Sequence, residues 1–419
     1  MSGTETPRVP ARRLSTLRAV LVLGLLEAFG PLSMDLYLPH LPQLARSFDV
    51  SDALAQATMS ACMIGLGLGQ LVAGPLSDRF GRRRPLVVGV AAFAVLSVCC
   101  ALAPTIEMLL AARFLQGLAG SAGIVISLAV ARDLFTGVAL SRMLSLLLVV
   151  SGTAPIVAPI VGGQLAYVMD WWGVFWVLGG VGVCLVALVL FALPETLAPA
   201  ERHAGGMPEA LAHAGEAVRD PLFRAVLLAG AAGGVAFFTY LSMSSFVMQE
   251  QFDLSPQAFS LVFAACALAS IAGGQISRVL VPRLGPARMY LTGITATLAS
   301  TLVLLALASA GASGALIAAS LVLFMLLAGT SGPNGSTLAL ARHGARAGTA
   351  AALLGTSTFL FGPVVAPLAA LGGTTTLTMA ATMAIAAAAA AVIAWIGVRR
   401  AARAPGAGEI GELSPSTGR

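Results

Sequence analysis

Two carboxylates, Glu27 and Asp35, lie within one long apolar run, LRAVLVLGLLEAFGPLSMDLYL, from Leu17 to Leu38. A hydrocarbon core about 30 Å thick is crossed by roughly 20 apolar residues in a helix, so this run is long enough to span a membrane. An ionised Asp at the centre of such a helix costs about 2.5 to 3.5 kcal/mol on insertion scales, and acids retained there generally face a wet cavity or a partner charge. Their spacing corresponds to about 12 Å of helical rise and a rotation of roughly 80° about the axis. Both can therefore line one side of a single cavity at two depths, where carboxylates can take up and release protons.

A third charge, Arg113, lies inside another apolar run, with Gln116 one turn on (RFLQGLAGSAG, residues 113–123). It is roughly 10 Å of helix from the outer end, so its guanidinium either snorkels to the interface or meets a partner. Asp35 lies near the outer end of its own run, and by depth alone it could pair with Arg113. That pairing would leave Glu27, nearer the midplane, as the proton carrier. The residues leave open which acid holds the proton.

The elements that must hold these groups are membrane helices. The chain has 419 residues, 58% hydrophobic and 10% charged, with mean hydropathy +0.92. A soluble domain carries about 25% charged residues, so this is an integral membrane protein. Apolar runs predict twelve spans, near 17–38, 54–75, 86–103, 106–130, 141–168 and 171–193, then 222–248, 257–280, 286–309, 314–338, 346–370 and 374–397. The organisation expected is a cytoplasmic tail at 1–16, a six-helix half at 17–193, a cytoplasmic linker at 194–221, a second six-helix half at 222–397, and a disordered cytoplasmic tail at 398–419. With both termini cytoplasmic, 22 of the 24 basic residues fall on the cytoplasmic side, while Asp49, Asp52, Glu107, Asp170, Glu250 and Asp253 fall on the other. The positive-inside rule sets that orientation. The first apolar run is too long for a signal-peptide core and has no clear cleavage site, so it reads as a retained span. The net charge of +6 is distributed over short loops and is no nucleic-acid footprint. The five cysteines lie inside apolar runs without metal-ligand spacing and read as small buried hydrophobes.

The loop GPLSDRFGRRRP (74–85) carries a pattern that positive-inside charge alone does not require. Gly74 lets helix ends approach, Gly81 permits a tight turn, and Asp78 caps a neighbouring helix or pairs with an Arg. Joined to twelve spans, Gly74, Asp78, Arg79, Gly81 and Arg82 resemble the signature cytoplasmic loop of the major facilitator superfamily. That resemblance implies an all-α fold of two six-helix bundles that rock about a midplane site. It also implies that Asp78, Arg79 and Arg82 latch the cytoplasmic side in the outward-facing state. Arg113, Gln116, Gly117 and Gly120 are similar to the superfamily's fourth-helix motif, whose Arg is linked to proton coupling.

The fifth run, SGTAPIVAPIVGG (151–163), has two prolines four apart and a Gly pair, which kink a helix and allow close contact with a neighbour. Ala158, Pro159, Gly162 and Gly163 resemble the superfamily's antiporter motif, with Ala158 in place of its first Gly; that motif marks exporters. MDLYLPHLP (34–42), Leu193-Pro194-Glu195-Thr196-Leu197 and SGPNG (331–335) together resemble the Bcr/CflA branch, the bicyclomycin and chloramphenicol resistance drug:proton antiporters. The likeness runs over about residues 17–397. It is weaker in the second half, where the matching loop GGQISRVLVPRLG (273–285) lacks the central Asp. The Glu27 and Asp35 pair also resembles a related multidrug:proton antiporter with two acids in its first span.

Pocket residues are less sharply marked. Span seven (FFTYLSMSSFVM, 237–248) offers Phe238, Tyr240 and Met243, which suit a promiscuous apolar pocket as well as they suit packing. Tyr37 and Asn334 join the candidates, Asn334 as either a gate or a local cap. The expectation is a monomeric proton-coupled exporter of small apolar drugs or secondary metabolites in a bacterial plasma (inner) membrane, contacting lipid, substrate and protons. No cofactor, metal or nucleic acid is expected. The alternative is a proton-coupled importer of a small polar nutrient, which would show more fixed polar groups. A membrane sensor would be expected to carry a sizeable soluble domain. No nucleophile–base set, metal cluster or phosphate loop supports an enzyme.

Overall fold

The computed structural model describes residues 16–202, 215–341 and 347–403. Nearly all of the expected N-terminal tail, the middle of the linker, Arg342 and Arg346, and the C-terminal tail beyond 403 lie outside the described residues. Among the described residues there is no strand.

The first half comprises α1 (Thr16–Asp35), α2 (Leu41–Phe48), α3 (Asp52–Phe80), α4 (Arg83–Ala101), α5 (Ile106–Leu134), α6 (Gly137–Leu165) and α7 (Trp171–Ala192). The second comprises α8 (Pro221–Phe246), α9 (Pro256–Leu284), α10 (Pro286–Ser309), α11 (Gly314–Gly329), α12 (Gly332–Leu340), α13 (Ala347–Ala370) and α14 (Thr376–Arg403). Eleven of these spans are long and apolar enough to cross a membrane, α11 and α12 counting as one; the segments Arg18–Gly30 and Leu32–Phe48, which meet at a 45° bend, make a twelfth. Starts follow local chemistry. Ser51, Thr105 and Ser255 accept from the backbone N–H three residues on, and proline opens α8, α9 and α10, where its missing N–H has no cost.

Three departures from the predicted spans have local causes. The first run does not continue as one helix to Leu38. It ends at Asp35, passes through a 3-10 turn at Leu38–His40 opened by Pro39, and restarts as α2 with Pro42 in its first turn. The tenth run is broken after Gly329, where the hydroxyls of Thr330 and Ser331 bond back to Leu327 and Ala328 carbonyls and Pro333 opens α12. Residues 398–403, expected as disordered tail, extend α14, with Val398 and Ala401 buried and the Arg399 guanidinium 4.6 Å from the Trp395 ring centre.

An internal repeat runs through the chain. Phe48-Asp49-Val50-Ser51 and Phe252-Asp253-Leu254-Ser255 occupy matching turns, and both aspartates take the left-handed conformation at φ 52° and 53°. Gly81 and Gly285 match likewise, at φ 88° and 76°. In α6 Pro155 and Pro159, and in α13 Pro363 and Pro367, recur with the same spacing and an Ala before the second proline. Between the halves, α3 packs on α13 and α6 on α9. At the end bearing Asp49 and Asp253, Ser245 donates to Leu38 O, Gln249 to Pro39 O, and Arg46 pairs with Glu250 at 2.8 Å.

Candidate functional site

A cavity of about 570 Å³ lies between the halves, lined from α1, α3, α5 and α6 on one side and α8, α9 and α11 on the other. Glu27 and Asp35 both line it, at 8% and 6% exposure, and Gln70 adds an amide. Much of the remaining wall is apolar, with Met63, Phe238, Phe263 and Met325 prominent. Tyr240 also lines it, its ring stacked on Phe263 at 5.7 Å. Glu27 Oε2 is buried without a hydrogen-bond partner among the described residues, and the Tyr240 hydroxyl has only the weakly bonding Cys266 thiol beside it. Buried polar atoms are rarely left that way, so both are groups with capacity for a ligand or proton. The arrangement can hold a largely apolar molecule against two carboxylates and a phenol.

Arg113 is elsewhere. It is fully buried inside the first half and does not snorkel. Its guanidinium stands 4.9 Å from the Tyr37 ring centre and 5.3 Å from that of Phe175, donates to Gln116 Oε1 at 2.7 Å and approaches Met34 Sδ at 3.7 Å. Gln116 is held in turn by donating to Ser97 Oγ at 2.7 Å. The pairing with Asp35 that depth alone allows does not occur: among the described residues no carboxylate lies within 4.0 Å of Arg113. The cause is rotational. Neighbouring helix positions diverge by about 100°: Met34 reaches the guanidinium from the cavity wall, while Asp35 faces the cavity without reaching it. Cation–π attraction to two rings takes the place of a counter-ion.

Two pocket candidates are placed differently. Tyr37 is fully buried, hydrogen-bonded to Thr58 Oγ1 at 3.1 Å, and forms a wall of the Arg113 box, outside the cavity. Asn334 donates to Ser277 Oγ at 2.7 Å and to Thr330 O at 2.8 Å, so it ties α12 to α9 across the helix break.

The Gly-Gly end of α6 joins the site to both halves. A Cβ at Gly162 would lie 2.3 Å from Leu36 O, immediately after Asp35; one at Gly163 would lie 2.4 Å from Ser260 Oγ on α9. Ala158 is fully buried, whereas Pro159 is one of the kinking prolines. In the α3–α4 turn, Arg82 is the hub. It bonds Asp78 and Ser77, and Asp133 at 3.0 Å. Burial alone would pull its guanidinium down, but the bonds to Asp133 and Asp78 hold it above its ordinary value. Glu195 accepts from the backbone N–H of Arg82 and Arg83 and fills the space in front of Gly81. Arg79 is exposed and lies over Phe80. Gly74 meets only Val125, at 3.8 Å, so no helix end uses the room it leaves. Asp133 and Glu195 were not singled out from sequence as parts of this cluster. Their signal is an acid at the end of each neighbouring run, facing an arginine-rich loop.

A family profile described as Major Facilitator Superfamily matches residues 23–367. An uncharacterized MFS-type transporter, YdgK, of Bacillus subtilis (strain 168) is 38% identical over 374 residues, 88% of this chain and 92% of its own length. A bicyclomycin resistance protein homolog of Haemophilus influenzae is 37% identical over 43% of this chain and 46% of its own. The multidrug resistance protein MdtL of Klebsiella pneumoniae subsp. pneumoniae is 29% identical over 72% and 80%. Among solved structures, an inward-facing bacterial homolog of the human lysosomal transporter Spinster aligns over 96% of this chain and 99% of its own with a TM-score of 0.73 at 15% identity, a likeness of fold alone.

Proposed function

The chain belongs to the Major Facilitator Superfamily, and from that premise we propose that this multi-pass membrane transporter exports small, largely apolar drugs or secondary metabolites in exchange for protons. The observation that carries the reading is the cavity between the halves, with two buried carboxylates set into a largely apolar wall. An apolar wall accepts varied ligands by area rather than by fixed hydrogen bonds. A carboxylate placed there can exchange a proton for the substrate. Relatives named for bicyclomycin and multidrug resistance support the same substrate class. An importer of a polar nutrient would need more fixed polar groups than Gln70, Tyr240 and Ser270 supply.

The geometry supports the following cycle. The ties at Leu38, Pro39 and Arg46 support a state closed at the acidic end. In the orientation read from the arginines, that end is outside and the cavity loads from the cytoplasm. Substrate displaces protons from Asp35 and Glu27, the outer ties part, and protons entering from outside displace substrate. Gly162, packed on the backbone next to Asp35, and Gly163, packed on α9, link the state of the acid to the contact between the halves. The Arg82 cluster lies within the first half here; Asp78 and Arg79 are exposed at that end, available to the second half when the cytoplasmic side shuts.

Accumulation of labelled chloramphenicol, then bicyclomycin, in a pump-deficient host tests this reading. Lower accumulation that a protonophore abolishes is expected. Raised accumulation, or lowering that survives the protonophore, would overturn it.

A further inference from the structure

A second and larger cavity, about 780 Å³, lies wholly within the second half. It reaches α10 and α14 behind the helices that face the first half, and no residue of the first half lines it. It adjoins the central cavity, for Phe237, Ser270, Ile271 and Met325 line both. Glycines create much of its space. A Cβ at Gly230, Gly233, Gly332 or Gly355 would meet nothing within 4 Å, so these positions are not small for the sake of close packing. Helix interiors close to the density of organic crystals seldom leave such hollows unfilled. Among the described residues that line it there is no charged group. Tyr290 lines it near the arginine-rich end, 4% exposed, and its phenol has no hydrogen-bond partner among the described residues.

We infer that this hollow is a second compartment of the binding site, which takes the apolar tail of an elongated amphiphile whose polar or cationic head lies at Glu27 and Asp35. The inference rests on the exporter reading for the head. For the tail it rests on continuity of the two cavities, the unfilled glycines and the unpartnered Tyr290. Either cavity alone is within the usual range of about 300 to 1,000 Å³ for drug-sized ligands; joined, they suit a longer molecule than chloramphenicol. The tail passes Phe237 and Met325, an aromatic ring and a flexible thioether that can part without breaking hydrogen bonds. Tyr290 at the far end offers one donor to a tail that ends in a polar group.

The test uses full-length protein in lipid nanodiscs, with empty discs subtracted, and calorimetric binding of butyl-, octyl- and dodecyltrimethylammonium. Wild-type affinity is expected to rise by about fourfold for each methylene that enters the compartment. Gly233→Leu on α8 and Gly355→Leu on α13 should each obstruct it, lowering dodecyl affinity about 250-fold, to the octyl value, and leaving butyl binding unchanged. Tyr290→Phe, which alters no packing volume, should weaken a 12-hydroxydodecyl probe severalfold and spare the dodecyl probe. A dodecyl-to-butyl ratio the same in both leucine variants as in wild type, with the hydroxylated probe indifferent to Tyr290→Phe, would overturn the compartment and leave the exporter reading standing. Butyl binding that is undiminished by Asp35→Asn and Glu27→Gln together would instead remove the head site, and the inference with it.

Discussion

Arg113 is a buried cation whose neighbours are two rings, an amide and a thioether. Planarity matters in such a box. Arg113→Lys keeps the charge but cannot lie flat between Tyr37 and Phe175 while donating to Gln116. Desolvated cation–π contacts are worth about 2 kcal/mol; a loss of that order in thermal stability is expected for the lysine variant, with transport reduced. Lysine at full stability and full activity would show that the box has no role. At the carboxylates, Asp35→Asn should abolish proton-driven efflux while the purified protein still unfolds cooperatively, and Glu27→Gln should narrow the range of substrates. Undiminished, protonophore-sensitive efflux by the Asn variant would end the role assigned to Asp35. Both acids were legible in the sequence because a charge in an apolar run has so few reasons to be there. Which way each faces was not. The helix ends at Asp35 itself, and a rotation of one position decides whether the acid or Met34 meets Arg113. Depth along a run cannot carry that information.

Among the elements, α6 packs its backbone closely against both halves at the site. Gly162 lies against Leu36 O and Gly163 against Ser260 on α9. An added methyl at Gly162 would overlap a carbonyl that cannot rotate away, so Gly162→Ala should force α6 and α1 apart. Overpacking of this kind typically costs about 1 to 3 kcal/mol. The expected outcome is a lowered unfolding midpoint together with loss of transport; Gly74→Ala, which meets only Val125 at 3.8 Å, should change neither. The helices were readable from hydrophobic runs because each backbone must satisfy its own hydrogen bonds in lipid. Their breaks were harder to read. Thr330 and Ser331 interrupt the tenth span by bonding back to their own helix, and nothing in mean hydropathy marks that. The matching proline pairs of α6 and α13 are visible in the sequence, but only the fold shows that they occupy corresponding helices of the two halves.

At the scale of the molecule the two halves repeat each other, but they differ where function needs a difference. Asp78 is matched by Pro282 and the acids of α1 by no carboxylate in α8. The first half thus brings the carboxylates to the shared cavity, and the second half encloses a further cavity of its own. This division was only partly legible. Charge is visible in sequence, whereas empty space depends on how helices diverge. Arg46 and Glu250 stand at corresponding places in the two halves and join them at 2.8 Å. A double-mutant cycle on Arg46→Ala and Glu250→Ala, read by spin-label distances across that end, should give a coupling of about 1 kcal/mol or less and shift the population toward separation. No shift in distance would remove the pair from the closure. Its side chains are 66% and 36% exposed, and charges so exposed are screened over about 8 Å at 0.15 M ionic strength. The salinity of the medium bathing that end therefore becomes an input to the resting state of the protein: in brine the two halves are expected to part there more often than in fresh water, with no change at the residues that bind.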